Sequence, residues 1–268
     1  MSSHHRFAVV TGASSGIGVA YAERMAERGY NLILVARRRD RLEDVAKRIK
    51  IKTNRAVEIA TADLADAKDL LRIEALLTER EDIDVLINNA GLGALGPASK
   101  VTADALENLI KINILALTRL THAVLPGFLR RNCGTIINIA SMIAVMPTPS
   151  GAGYSGSKAY VLNFTRSLQM ELSKTSIVVQ AVLPGPVRTE FFEASGLTAA
   201  PFPDELFMSP QELVDTALQA LDRRELVCFP SLENEVHWTT FEDARIALSR
   251  ALMQSGRPAT RYSEDTPS

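Results

Sequence analysis

Cysteine is scarce in this chain: its 268 residues hold two, Cys133 and Cys228, far apart in sequence. Two such residues build neither a disulfide framework nor a CxxC metal spacing, which leaves small apolar side chains in a reducing compartment. Histidine is nearly as sparse. His4 and His5 lie near the start, His122 and His237 stand apart, and no paired spacing for zinc results, so no metal is expected. Neither sign of charge dominates, with 30 Lys and Arg against 31 Asp and Glu for a net −1. Binding nucleic acid demands an excess of basic residues, and no such partner is expected. No apolar run approaches the roughly 20 residues of a membrane span, and the first residues lack the apolar core of a signal peptide. The expectation is a cytoplasmic protein without a membrane partner. Internal repeats and linkers rich in Pro, Gly or Ser are also missing. One domain over 1–254 is therefore expected, followed by a flexible tail at 255–268 where the composition shifts.

What is present is an alternation. Hydrophobic residues make up 46% and charged residues 23%, enough for a sizeable core. Short β-branched runs at about 7–11, 31–36, 56–60, 84–88, 135–141, 177–183 and 226–229 predict strands. Amphipathic stretches at about 16–29, 40–50, 66–79, 103–130, 154–174 and 211–223 predict the helices between them, and 233–252 suggests a last one. Gly29 sits where a helix C-cap belongs, and Asp40 with Glu43 has the spacing of a capping box. Nearly unbroken apolar strands alternating with helices mean a parallel sheet covered on both faces. The predicted class is α/β, a Rossmann-type doubly wound sheet of about seven strands in three layers. Ligands of such sheets bind beyond the carboxyl ends of the strands, so the residues following each strand hold the chemistry.

After the first strand comes "TGASSGIG", with Gly12, Ser14, Ser15, Gly16, Ile17 and Gly18 leading into a helix. Glycines there let the turn run tightly and bring backbone N–H groups to a pyrophosphate at the helix start. The second strand ends at Ala36 and is followed by Arg37, Arg38, Arg39 and, after Asp40, Arg41. An acidic residue at this strand end commonly holds the ribose hydroxyls of NAD, and none is present before Asp40. An arginine fork instead suits the 2′-phosphate of NADP, which a carboxylate would repel. Arg37 is the expected contact and Arg38 a second contact or a stack on the adenine, while Arg39 and Arg41 are expected to face water.

Tyr154 and Lys158 stand four apart and share one helix face. Alone, such a pair is ordinarily a packed ring and a snorkelling stem. Ser141, thirteen residues before Tyr154 and at the end of a strand, gives the pair another meaning. Reduction of a carbonyl by hydride leaves charge on oxygen that must receive a proton. A phenol near its usual pKa of about 10 is a sluggish acid/base, and a nearby ammonium lowers that value. A serine hydroxyl supplies a donor to the same oxygen.

These motifs, with "DL" at Asp63–Leu64, "NNAG" at 88–91, Asn113 within a long helix, "YSGSK" at 154–158 and "PGPVRT" at 184–189, resemble the short-chain dehydrogenase/reductase family over about residues 6–230. The resemblance implies an NADP(H)-dependent oxidoreductase acting on a carbonyl or secondary alcohol, with Asn113, Ser141, Tyr154 and Lys158 as the catalytic group. It assigns Lys158 a second duty on the nicotinamide ribose and Asn113 a perturbed helix and a water relay. Asp63, with Leu64 beside it, becomes the adenine contact, and Asn89, Ala90 and Gly91 line the ribose side. Pro184 and Gly185 join the cofactor-binding residues, the prolines of "PGPVRT" end the strand, and the Val187 backbone and Thr189 hydroxyl meet the carboxamide. Without the resemblance, Asn113 reads as a buried, partnered amide, "NNAG" as a turn, and Asp63 as a loop or N-cap carboxylate.

Residues 190–209 interrupt the rhythm with Phe191, Phe192, Leu197, Phe202, Leu206, Phe207 and Met208, punctuated by Gly196, Pro201 and Pro203. A segment of this kind is often a lid. With Leu92, Leu95, Ile143 and Val145 it suggests an apolar or amphipathic small-molecule substrate, or merely packs onto the body. The resemblance further implies a homodimer or homotetramer. A sensor or scaffold that binds NADP(H) without turnover is the alternative function, one with no need of a Tyr–Lys pair.

Overall fold

The structure, a computed structural model, describes residues 6–196 and 202–262. His4, His5, Leu197, Pro201 and the tail residues 263–268 lie outside them. The chain divides into two compact units, Met1–Pro230 and Ser231–Ser268. The boundary thus falls before the last helix rather than after it at 254. None of that helix's residues is buried, so its helical pattern in the sequence gave no sign of belonging to a shared core.

In the first unit the strands are β1 (Phe7–Thr11), β2 (Asn31–Ala36), β3 (Val57–Thr61), β4 (Ile83–Asn88), β5 (Gly134–Ile139), β6 (Ile177–Val182) and β7 (Val227–Cys228). All pairs are parallel, in the order β3-β2-β1-β4-β5-β6-β7. The strands predicted at 7–11 and 31–36 form with those limits, because every residue in them is buried and each face carries its own apolar layer. The helices are α1 (Gly16–Glu27), α2 (Arg39–Thr53), α3 (Ala67–Glu79), α4 (Ala103–Ile110), α5 (Leu117–Arg131), α6 (Ala152–Glu171), α7 (Phe191–Ala194) and α8 (Pro210–Asp222). One core cluster packs α1, α2 and α8 on one face through Met25, Leu42, Leu213 and Leu218. Another packs α3 and α5 on the opposite face through Ile73, Leu120, Val124 and Phe128. The arrangement is a doubly wound, three-layer α/β/α sheet.

Two local expectations change. Helix α2 begins one residue earlier than predicted, with Arg38 at its N-cap and no side-chain cap, so Asp40 falls inside the first turn. Its carboxylate there complements the helix dipole instead of closing a capping box, and Glu43 pairs with Arg39 at 2.8 Å. The stretch Ala103–Arg131 is one continuous helical run of 29 residues, long and apolar enough by length and composition to cross a membrane, contrary to the sequence reading. Its inward residues Leu109, Leu120, Val124 and Phe128 are buried in the protein.

The order of strands reverses between β1 and β4, the switch point of the sheet. On the next pair of strands, Asn88 of β4 and Asn138 of β5 face each other in register, with Asn88 Nδ2 donating to Asn138 Oδ1 at 2.9 Å. Asn88 also donates to Thr121 on α5 and Asn138 to Thr165 on α6, at 3.0 and 2.9 Å. This buried polar chain ties both helices to the sheet directly beneath the loops that hold the site, and low surrounding dielectric strengthens each link.

The second unit contains α9 (Val236–Leu252), in which Trp238 and Phe241 stack with centroids 5.6 Å apart, and a short turn at Thr260–Tyr262.

Candidate active site

The loop after β1 leaves no room for a side chain at two of its glycines. Gly12 sits at φ +68°, and a Cβ there would lie 2.8 Å from Asn89 Nδ2 and 2.9 Å from Ala90 Cα. At Gly18 a Cβ would come within 2.3 Å of the Gly12 carbonyl oxygen. Only glycine fits both places. Thr11, which sequence reasoning passed over, joins this turn to the neighbouring loop. Its Oγ1 accepts from the backbone N–H of Asn89 and of Ala90, both at 3.0 Å, and Asn89 Nδ2 donates to the Thr11 carbonyl at 2.8 Å. The "TGASSGIG" and "NNAG" motifs therefore form one structure across the switch point. The first turn of α1 contains no acidic residue and Ser15 makes no side-chain cap, so its N–H groups and the positive end of the dipole stay available to an anion. Ile17 packs against the core from the same turn, and Leu64 buries its side chain in the core with 6% exposure.

The arginines at the end of β2 separate by what they touch. Arg38 donates to Ser15 Oγ at 2.9 Å and to Ser14 Oγ at 3.2 Å, reaching the glycine turn itself. Arg37 is exposed and stands 4.0 Å from Asp63, which also accepts from the Ala65 N–H at 3.0 Å as a loop carboxylate does. Arg39 faces water beside Glu43. Arg41, expected to do the same, instead binds Glu190 at 2.7 Å, a residue 149 positions away. Arg38 meets the same carboxylate at 3.0 Å.

A second group gathers at the ends of β4, β5 and β6. Strand β5 stops at Ile139, and Ser141 lies just beyond as N-cap of a short turn, Met142–Ala144. Helix α6 brings Tyr154 and Lys158 to face it. Lys158 is 5% exposed, its Nζ donates to the Ile139 carbonyl at 2.8 Å, and it lies 5.6 Å from the centre of the Tyr154 ring. Burial lowers the Lys158 ammonium from its ordinary 10.5 to about 8. Burial also pushes the Tyr154 phenol up to about 12, although the residue keeps an edge in solvent, and a hydrogen bond with Ser141 pulls it partly back. Burial thus acts on the phenol in the direction opposite to the lowering expected from Lys158.

Asn113 lies in a π-helical segment, Lys111–Ala116, between α4 and α5. A π segment inserts an extra residue per turn, so it re-aims one side chain while the helix continues. The amide accepts from Leu92 N–H at 2.8 Å, donates to the Leu92 carbonyl at 2.9 Å and donates to Ser157 Oγ at 3.0 Å. Ser157 in turn donates to the Tyr154 carbonyl at 2.7 Å. Asn113 is thus both buried and partnered, and it links the loop after β4 to the helix carrying Tyr154. Ser157 is a further positioning residue that only this contact identifies. Gly91 lies between, where a Cβ would sit 3.4 Å from Asn113 Oδ1 and 3.6 Å from Lys158 Nζ.

Beyond β6, Pro184 accepts from the Met142 N–H at 2.9 Å and Gly185 follows it. Val187 is buried and bridges to Met208, which draws together the two ends of the intervening segment. Thr189 approaches the glycine turn: a Cβ on Gly16 would be 2.8 Å from its Cγ2. Phe191 on α7 then packs on Tyr154, ring centres 5.2 Å apart, and continues through Phe192 into Phe202 and Phe207. Leu92, Leu95 and Ile143 are partly buried, and Val145 packs into the core cluster containing Val161 and Leu183. Surface hollows beside α1 and α8 are remote from these groups, and their charges pair with each other, Arg24 with Asp215 and Arg28 with Asp222. Among the described residues no cluster of His, Cys, Asp and Glu is arranged to hold a metal.

The family model described as short chain dehydrogenase matches residues 6–199. A short-chain dehydrogenase from Sphingobium yanoikuyae, solved in complex with NADPH, is 42% identical and superposes with a TM-score of 0.92, covering 96% of this chain and 99% of that one. A bulky-bulky ketone specific alcohol dehydrogenase from Comamonas testosteroni is 38% identical with a TM-score of 0.88, covering 96% and 98%. Human inactive hydroxysteroid dehydrogenase-like protein 1 is 37% identical over 202 residues, 74% of this chain and 59% of that protein. The chain spans about three fifths of the length of the curated relatives of that name.

Proposed function

This chain belongs to the short-chain dehydrogenase/reductase family, and on that premise we propose that it reduces an apolar ketone with NADPH, using Tyr154 as the proton donor. The observation that carries the reading is the convergence of Ser141, Tyr154 and Lys158 beside a turn whose Gly12 and Gly18 leave no room for a side chain. A nicotinamide cofactor supplies the hydride when bound. The turn at Gly12–Gly18, the uncapped start of α1 and the Arg38 guanidinium fit its pyrophosphate and 2′-phosphate, and Asn89 to Gly91 with Thr189 adjoin the same cleft.

The chain's own part in the reaction is to place and protonate. With its phenol near 12, Tyr154 is neutral across the physiological range and holds the proton that a developing alkoxide needs. Ser141 opposes the rise that burial causes in that phenol, and its hydroxyl is the donor we assign to the same substrate oxygen. Lys158 adds positive charge below about pH 8 as the oxygen charges. Asn113 and Ser157 fix the distance between the loop after β4 and α6. A donor that arrives protonated suits reduction rather than oxidation of an alcohol. The phenyl rings of Phe191, Phe192, Phe202 and Phe207 gather on the Tyr154 side of the cleft, and the likeness to a ketone-specific relative favours a ketone with sizeable apolar groups.

Likeness to a relative named inactive gives the second reading, a cofactor binder without turnover. Incubating the chain with NADPH and a panel of dialkyl and alkyl aryl ketones separates the two. Loss of NADPH absorbance that depends on the ketone supports the enzyme. Cofactor binding without consumption on any member of the panel supports the binder.

A further inference from the structure

Glu190 occupies a peculiar place. It follows Thr189 at the glycine turn and stands at the N-cap of α7, whose Phe191 rests on Tyr154. Its Oε1 accepts from Arg41 at 2.7 Å, and its Oε2 accepts from Arg41 and from Arg38, both at 3.0 Å. Arg38 turns its remaining guanidinium nitrogens to Ser14 and Ser15. The two arginines that converge near the glycine turn are therefore held together by one internal carboxylate. Both arginines pull that carboxylate below its usual range of ionisation, so it stays charged at neutral pH.

We propose that Glu190 is a cofactor-discriminating residue: its carboxylate stands in for a ribose 2′-phosphate on Arg38 and Arg41, and a phosphorylated cofactor must displace it. The proposal rests on the reading of NADP(H) as the cofactor. A carboxylate and a phosphate compete for the same guanidinium edges because both accept paired N–H donors. They also repel each other, so both cannot hold these two arginines at full strength. Counting the charged groups that face this spot, Arg37, Arg38 and Arg41 are opposed by Asp63 and Glu190, which leaves one net positive charge. With Glu190 displaced or neutralised, two remain. The resident carboxylate thus weakens the binding of NADPH relative to what the arginines alone would give. It leaves a cofactor lacking the phosphate nearly unaffected, because such a cofactor has nothing to exchange. Glu190 is exposed enough that water screens part of the effect, so it is modest.

The test is direct binding of NADPH and of NADH, by calorimetry or cofactor fluorescence, to the wild-type chain and to Glu190→Gln. The expected result is a wild type that prefers NADPH and a variant that binds NADPH roughly three- to tenfold more tightly, with NADH changed less than about twofold. A wild type that prefers NADPH together with a variant of unchanged or weaker NADPH affinity overturns the role of Glu190 and leaves the cofactor reading intact. A wild type that binds both cofactors equally overturns the cofactor reading, and the proposal with it. Arg41→Gln supplies a second readout: removing one of the two arginines that hold Glu190 should shrink the gain produced by Glu190→Gln, and an undiminished gain contradicts the shared clamp.

Discussion

Replacing Lys158 with Met should stabilise the free protein at neutral pH while disabling it. The ammonium is 5% exposed and its pKa falls from 10.5 to about 8. Because folding depresses the value, the unfolded chain binds the Lys158 proton more tightly than the folded one. Below about pH 8 both states are protonated, and the folded state bears the whole penalty. At roughly 1.4 kcal/mol per unit, this shift is a penalty on the order of 3 kcal/mol. Between about 8 and 10.5 the folded state has lost the proton and the unfolded state has not, so the penalty fades as pH rises. Against this, Lys158→Met gives up the 2.8 Å charge-assisted bond to the Ile139 carbonyl, a loss of about 2 kcal/mol. Methionine is unbranched and flexible and fills the lysine stem's space. The variant should then be more stable than wild type by about 1 kcal/mol at pH 7 and less stable by about 1 kcal/mol at pH 10. Urea unfolding of both proteins at the two pH values measures this. A variant less stable at pH 7, or a difference that does not move with pH, refutes the claim that a desolvated ammonium sits beside Tyr154.

Two further outcomes follow from the same geometry. Gly18→Ala places a Cβ against the Gly12 carbonyl at 2.3 Å, so the turn must open; NADPH affinity should fall at least about tenfold with a stability loss of about 1–3 kcal/mol, and unchanged binding in a titration would show that the turn does not cradle the cofactor. Arg38→Ala should weaken NADPH by about tenfold or more and NADH little, with Arg37→Ala the milder change, since Arg38 reaches Ser14 and Ser15 while Arg37 faces Asp63. The opposite ranking in dissociation constants would return the principal role to Arg37.

Much of the fold was legible because burial is written into the strands. "NLILVA" is apolar after its first residue and is buried from end to end. The start of α2 was not, because Asp40 and Glu43 match a capping box by spacing alone, and spacing does not reveal that Arg39 already lies in the helix. The motifs "TGASSGIG" and "NNAG" pointed to loops that do meet at the switch point, and "YSGSK" to the helix that carries Tyr154 and Lys158. What they left hidden depends on distance in sequence or on surroundings. The clamp of Arg38 and Arg41 on Glu190 joins residues about 150 apart, and no local pattern marks it. The π segment at Asn113 arises from a helix that must continue while one amide turns to Leu92 and Ser157. Proximity of Tyr154 to Lys158 is visible in a four-residue spacing, whereas desolvation of both groups is a property of the packed protein. The last helix showed its helical period but not that none of its residues would be buried.

The central claim is that Tyr154 donates the proton while the glycine turn and arginines hold NADPH. Tyr154→Phe removes one hydroxyl and keeps the ring against Phe191. Measured on the same preparation, ketone-dependent NADPH oxidation should fall by at least about a hundredfold, the scale of a lost general acid, while the NADPH dissociation constant stays within about threefold of wild type, well under 1.4 kcal/mol. Full turnover in Tyr154→Phe would contradict the account.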